Sequence, residues 1–138
     1  TIPVNVECAR NNGVSHEIRE FVVPLCATIH LAGSIITITS CVTTVLMMNN
    51  MPYNLGIMLP FVLSLGIAMV AAPGAPGGAI MSALPFLGMV GIAAGSPLAS
   101  LLIALYITQD SFGTAANVSG DNAIAVIVDM IYHKFIKK

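Results

Sequence analysis

Charge is what this chain has least of. Asp, Glu, Lys and Arg make up 8% of its 138 residues while 57% are hydrophobic, and so few charges cannot cover the surface of a water-soluble domain of that size. None of the four occurs between Glu20 and Asp110, a gap that lipid demands and a globular surface does not show. The five Lys plus Arg form no basic patch with interleaved aromatics and the net charge is −1, which excludes nucleic acid as a partner. Cys8, Cys26 and Cys41 have no C-x-x-C spacing, and two of them lie in apolar stretches where a thiol packs as a small hydrophobe. There is no Ser/His/Asp order and no H-E-x-x-H, and Gly74 to Gly78 lacks the Lys and Ser/Thr of a phosphate loop, so an enzyme is not expected. The opening TIPVNVECAR has neither an initiator Met nor a signal-peptide pattern. It reads as an internal start and the chain as a fragment. No internal repeat is evident.

What the chain does have is apolar length interrupted by polar residues. Residues 1–20 hold Glu7, Arg10, Glu17, Arg19 and Glu20, an Asn11-Asn12-Gly13 turn and a helix start at Ser15, and read as an interfacial segment. Residues 21–48 are apolar for long enough, at about 1.5 Å per residue, to cross a core of roughly 30 Å. The middle of this predicted helix reads His30-Leu31-Ala32-Gly33-Ser34, followed by Thr37, Thr39, Ser40, Thr43 and Thr44. A lipid-facing helix has no use for such groups, so the segment packs against protein or lines a cavity.

Asn49 to Asn54 is a Pro-broken polar loop. Beyond it, Leu55 to Val70 and Ala79 to Ala94 are apolar arms, each short of the roughly 20 residues a span requires. Between them Ala71 to Gly78 cannot continue a helix. Two short arms and a Pro/Gly tip over 55–94 predict a re-entrant hairpin; a single Pro-kinked helix is the alternative. Residues 97–136 form the last predicted helix, polar from Gln109 to Asn122. Lys134, Lys137 and Lys138 place its end in the cytoplasm. The expected class is an all-α, multi-pass protein of the inner (plasma) membrane, with transmembrane helices plus the hairpin, in contact with membrane lipid.

Asp110, Thr114, Asn117 and Asp121 fall at about 0°, 40°, 340° and 20° around a helix with 100° per residue. Carboxylates at membrane depth are costly unless paired, hydrated or holding a cation, so this stripe predicts a solute or ion site, against a structural polar seam. Asp129 reads as an interfacial charge near Lys134, and His16 and His133 as interface residues without metal-ligand spacing. His30 is either a hydrogen-bonded structural residue or, beside carboxylates, a proton carrier.

A broken hairpin reading APGAPGGAIM followed by DSFGTAANVSGD resembles the dicarboxylate/amino acid:cation symporters, the family of the glutamate transporters and their bacterial homologues. The likeness covers nearly the whole chain. It implies a glutamate-transporter-like transport core, with residues 1–20 ending a first hairpin, 21–48 the seventh transmembrane helix, 55–94 the second hairpin and 97–136 the eighth helix. The family's Asp-x-x-Arg-Thr-x-x-Asn-x-x-Gly-Asp is met by Asp110, Thr114, Asn117, Gly120 and Asp121, with Gly113 in place of the Arg. By resemblance Asp110 takes the substrate amino group, Thr114 and Asn117 hold its carboxylate, Ala75 and Gly77 of the tip and the space at Gly113 complete the substrate site, and Asp121 is a metal ligand for sodium. His30, Asn117 and Thr28 join Asp121 in a cation site. The lost Arg implies a neutral amino acid rather than an acidic one or a dicarboxylate. The seventh-helix motif Asn-Met-Asp-Gly-Thr reads His30-Leu31-Ala32-Gly33-Ser34, and Met69 and Ala72 stand where the tip has Ser and Thr. Fewer sodium ions are therefore expected, with a single sodium ion or a proton as coupling ion and no other cofactor.

The resemblance implies a symporter working by elevator-like movement against a scaffold upstream of Thr1, as a homotrimer, with the second hairpin as gate. The alternatives are a channel-like or non-transporting relative that has lost coupling, and a plain structural subunit.

Overall fold

The computed structural model describes residues 1–136, and its regular elements are all helical. They are α1 (Ile2–Asn11), α2 (His16–Ile29), α3 (Ala32–Met48), α4 (Leu55–Met69), α5 (Gly78–Ala83) and α6 (Pro97–Ile131). A 3-10 segment, Leu84–Val90, follows α5, and a π turn, Tyr132–Ile136, follows α6. Lys137 and Lys138, on which the cytoplasmic placement partly rests, lie outside the described residues.

Local chemistry sets the ends. Asn54 caps α4 by accepting from the Ile57 amide at 3.1 Å, and Ser96 caps α6 by accepting from the Ala99 amide at 3.2 Å, with Pro97 at the first helical position. α2 begins beside Ser15 as expected, but the Ser15 hydroxyl donates to the Asp129 carboxylate instead of capping the helix. Asp129 also lies 3.5 Å from His133 Nε2.

The expected single helix over 21–48 is corrected: it stops at Ile29 and restarts at Ala32, with His30 and Leu31 outside helical geometry. Among the described residues, His16–Met48 taken across this break is the one stretch long and apolar enough to cross a membrane, with a mean hydropathy of 2.0. α6 is longer, at 35 residues, and its polar middle keeps it outside that class.

The hairpin arms pack on each other, so the chain reverses over residues 70–77 rather than running on as a kinked helix. Its second arm is shorter than the expected 79–94. α5 gives way to 3-10 geometry at Leu84-Pro85, where proline has no N–H to continue the α ladder, and the arm ends at Gly91 with φ +79°. The larger apolar core joins α3, α4, both parts of the second arm and the start of α6 through Ile38, Phe61, Leu65, Ile80, Leu87 and Leu102. A smaller one joins α1, α2 and the far part of α6 through Ala9, Val23, Cys26 and Ala125. Along α6 the polar stripe lies between the two.

Candidate functional site

Asp110, Thr114, Asn117 and Asp121 all line one cavity of about 580 Å³, within the size range of small-molecule pockets. Its other walls include Thr1 with Ile2 and Asn5 of α1, His30, Leu31 and Ser34 around the α2–α3 break, and Pro73 to Pro76 of the hairpin tip.

At one end Asp110 Oδ1 accepts from the Tyr106 hydroxyl at 2.8 Å, and Oδ2 accepts from the Gly77 amide at 3.0 Å. Both donors are neutral, and no ion pair among the described residues involves Asp110. The tip needs its glycines: Gly77 has φ +75°, and a Cβ on Gly78 would collide with the Pro73 carbonyl. Ala75 lines the cavity, and Gly77 enters through its amide rather than a side chain.

Asn117 serves the helix break. Its Oδ1 accepts from the Gly33 amide at 2.8 Å and its Nδ2 donates to Ser34 Oγ at 3.0 Å, so α6 caps the start of α3 from outside. This accounts for the interruption at His30: an amide that an unbroken helix would turn inward is met by a side chain of α6. At the other end His30 Nδ1 lies 2.9 Å from Asp121 Oδ1, and Asp121 is 2% exposed. A Cβ on Gly120 would strike the imidazole, so that glycine makes the approach possible.

Two expected residues sit elsewhere. Gly113 opens no space in the cavity: it is buried against α3, where its Cβ would come within 3.0 Å of Thr37 Oγ1 and 3.3 Å of the Gly33 carbonyl oxygen. A Cβ on Gly33 would in turn collide with the Gly113 carbonyl, so the two backbones are in contact. Thr28 is exposed, donates to the Leu25 carbonyl at 2.7 Å and is not part of the cavity wall.

Sequence reasoning missed Tyr106, although one helical turn from Asp110 is where a partner belongs. It also missed the buried Asn5, which accepts from Asn122 Nδ2, with Asn12 Nδ2 donating to Asn122 Oδ1 at 3.5 Å. Residues so far apart in sequence carry no local signal. Among the described residues no group of three or more His, Cys, Asp or Glu could hold a metal ion.

The family model described as the sodium:dicarboxylate symporter family matches residues 1–131. The chain is 29% identical over 141 residues to neutral amino acid transporter A of Homo sapiens, covering 100% of this chain and 26% of the relative. It is 30% identical over 132 residues to the serine/threonine transporter SstT of Acinetobacter baylyi, covering 93% and 33%. With excitatory amino acid transporter 1 of Rattus norvegicus it is 28% identical over 138 residues, covering 99% and 25%. The chain thus spans a quarter to a third of the length of these relatives. No solved structure matches it significantly.

Proposed function

The chain belongs to the sodium:dicarboxylate symporter family, and we propose that it is the solute-holding part of a secondary active transporter for a small neutral amino acid. One observation carries this. Among the described residues, Asp110 presents a carboxylate to a cavity whose wall includes neither Lys nor Arg, and only neutral donors meet it. A substrate ammonium supplies the missing positive charge. The wall's imidazole, His30, already lies on Asp121, which disfavours a second, side-chain carboxylate on the substrate. Two of the similar proteins are named for neutral amino acids and for serine and threonine.

In this reading Asp110 takes the ammonium, Thr114 with Asn117 takes the carboxylate, and the tip around Ala75 and Gly77 closes over both. The coupling cation, a single sodium ion or a proton, belongs at the His30–Asp121 end. A sodium ion there would draw on Asp121 and on neighbouring carbonyl and amide oxygens, the ligand type of hard cations. The core moves elevator-fashion against a scaffold within a homotrimer in the plasma membrane, and the reaction is transport rather than enzymatic conversion. Uptake of radiolabelled serine, alanine, aspartate and succinate by liposomes holding the full-length protein, with and without a sodium gradient, tests it. Cation-dependent accumulation of a neutral amino acid is expected, and succinate uptake unaffected by neutral amino acids would refute it. A channel-like relative without coupling is favoured by one feature, the imidazole already seated on Asp121. Substrate-gated current without accumulation would decide for it.

A further inference from the structure

Tyr106 lies fully buried in the larger apolar core, and Ser34, whose side chain faces its phenol, is 4% exposed. The polar contacts of this pair have a fixed direction. The Gly33 amide can only donate, so Asn117 turns its oxygen to Gly33 and its NH2 group to Ser34 Oγ, at 2.8 and 3.0 Å. Ser34 accepts there and keeps its own proton for the phenol. The phenol has one proton, and Asp110 Oδ1 receives it at 2.8 Å. The line thus begins on a backbone amide at the α2–α3 break and donates at every link towards Asp110, and in a buried setting each link strengthens the next. Asn117 also lines the cavity and has a second Nδ2 hydrogen to offer there.

We propose that Tyr106 and Ser34 are positioning residues that hold the two poles of the solute site, the Asp110 carboxylate and the Asn117 amide, at one spacing. This deepens the amino acid reading above and rests on it. Tyr106 acts through Asp110, and Ser34 acts through the phenol. A solute that puts its ammonium on Asp110 and its carboxylate on Thr114 and Asn117 must match a distance set within the protein. Such a spacing selects α-amino acids, whose two charged groups share one carbon, over β-amino acids, whose groups stand one carbon further apart. Without the phenol, the Asp110 side chain can take other rotamers and meet an ammonium at other distances.

Competition binding on the full-length protein in lipid nanodiscs compares L-serine with isoserine, its isomer carrying the amino group on the β carbon. In Tyr106→Phe serine should bind about tenfold more weakly, the scale of one hydrogen bond to a charged group, while isoserine should not weaken. A merely structural loss would weaken both alike, and an unchanged ratio between them overturns the proposal. Ser34→Ala should lower the same ratio, and the double variant should fall no further than Tyr106→Phe. Losses that multiply would overturn the line from Ser34 to the phenol. Infrared spectra without solute read the line by itself. The Asp110 carboxylate stretch, identified by its absence in Asp110→Asn, should shift in both Tyr106→Phe and Ser34→Ala, and a band unmoved by Ser34→Ala counts against the proposal equally. Should Tyr106→Phe fail to fold, Ser34→Ala decides by the same ratio and the same band. Both shifts with no binding of any amino acid would keep the line and remove the amino acid reading.

Discussion

Asp110 and Asp121 are both aspartates on one stripe of α6, and their surroundings give them different work. Asp110 faces the cavity with neutral donors on both oxygens, whereas Asp121 is buried against an imidazole. Asp110→Asn keeps one acceptor oxygen where the carboxylate has two, so it removes the charge and one of the two bonds, to Tyr106 or to Gly77. Uptake should fall about a hundredfold, the range for losing one partner of a desolvated charged pair, with expression unchanged; uptake at matched protein level measures it. For His30→Asn, an amide no longer able to bear a proton sits beside Asp121. Uptake that rises with sodium at a Hill slope of about one and loses any response to pH is expected. A slope of about three in the unaltered protein would rule out a single coupling ion. The stripe itself was legible, since a helical period fixes which residues share a face. The pairing of His30 with Asp121 came only through the resemblance, since no local pattern joins residues 91 positions apart, and Tyr106 as the partner of Asp110 was missed.

At the scale of elements, the break between α2 and α3 and the crossing of α3 over α6 are a single construction. Gly33 brings its amide to Asn117 and its backbone against Gly113, so a side chain at either glycine has nowhere to go. Gly33→Ala should overpack this crossing and destabilise the purified protein by roughly 1–3 kcal/mol, more than Gly113→Ala, whose Cβ meets Thr37 at a less severe distance. Thermal unfolding in detergent reads both. Gly113→Arg, which motif comparison alone would choose in order to admit acidic solutes, should break the crossing instead. Asn117→Ala removes the side chain that caps the start of α3 and should cost about 1–2 kcal/mol. Hairpin, loop and last helix were readable because Pro and Gly punctuate them. The break at His30 was not, since it has neither, and its cause lies in α6.

For the whole molecule, lengths and contacts constrain which side of the membrane each segment meets. α4 has 15 residues, about 22 Å of helix, and the second arm is no longer than this, so neither arm alone crosses a core of roughly 30 Å. The tip bonds to Asp110, well inside the 35 residues of α6. The end of the second arm also approaches the loop that precedes the first: a Cβ on Gly91 would lie 3.2 Å from Met51 Cε. If α6 crosses the membrane, its start at Ser96 and both hairpin ends lie on one face, the tip lies at depth, and His133 and Lys134 lie on the other. With the native cysteines replaced, Tyr53→Cys and Ala94→Cys in the full-length protein should react with an impermeant maleimide from outside the cell. His133→Cys should react only after the membrane is opened. Tyr53→Cys and Ala94→Cys labelled from opposite sides would mean that the hairpin traverses the bilayer, and the Gly77–Asp110 contact could not then form a gate at the membrane's middle.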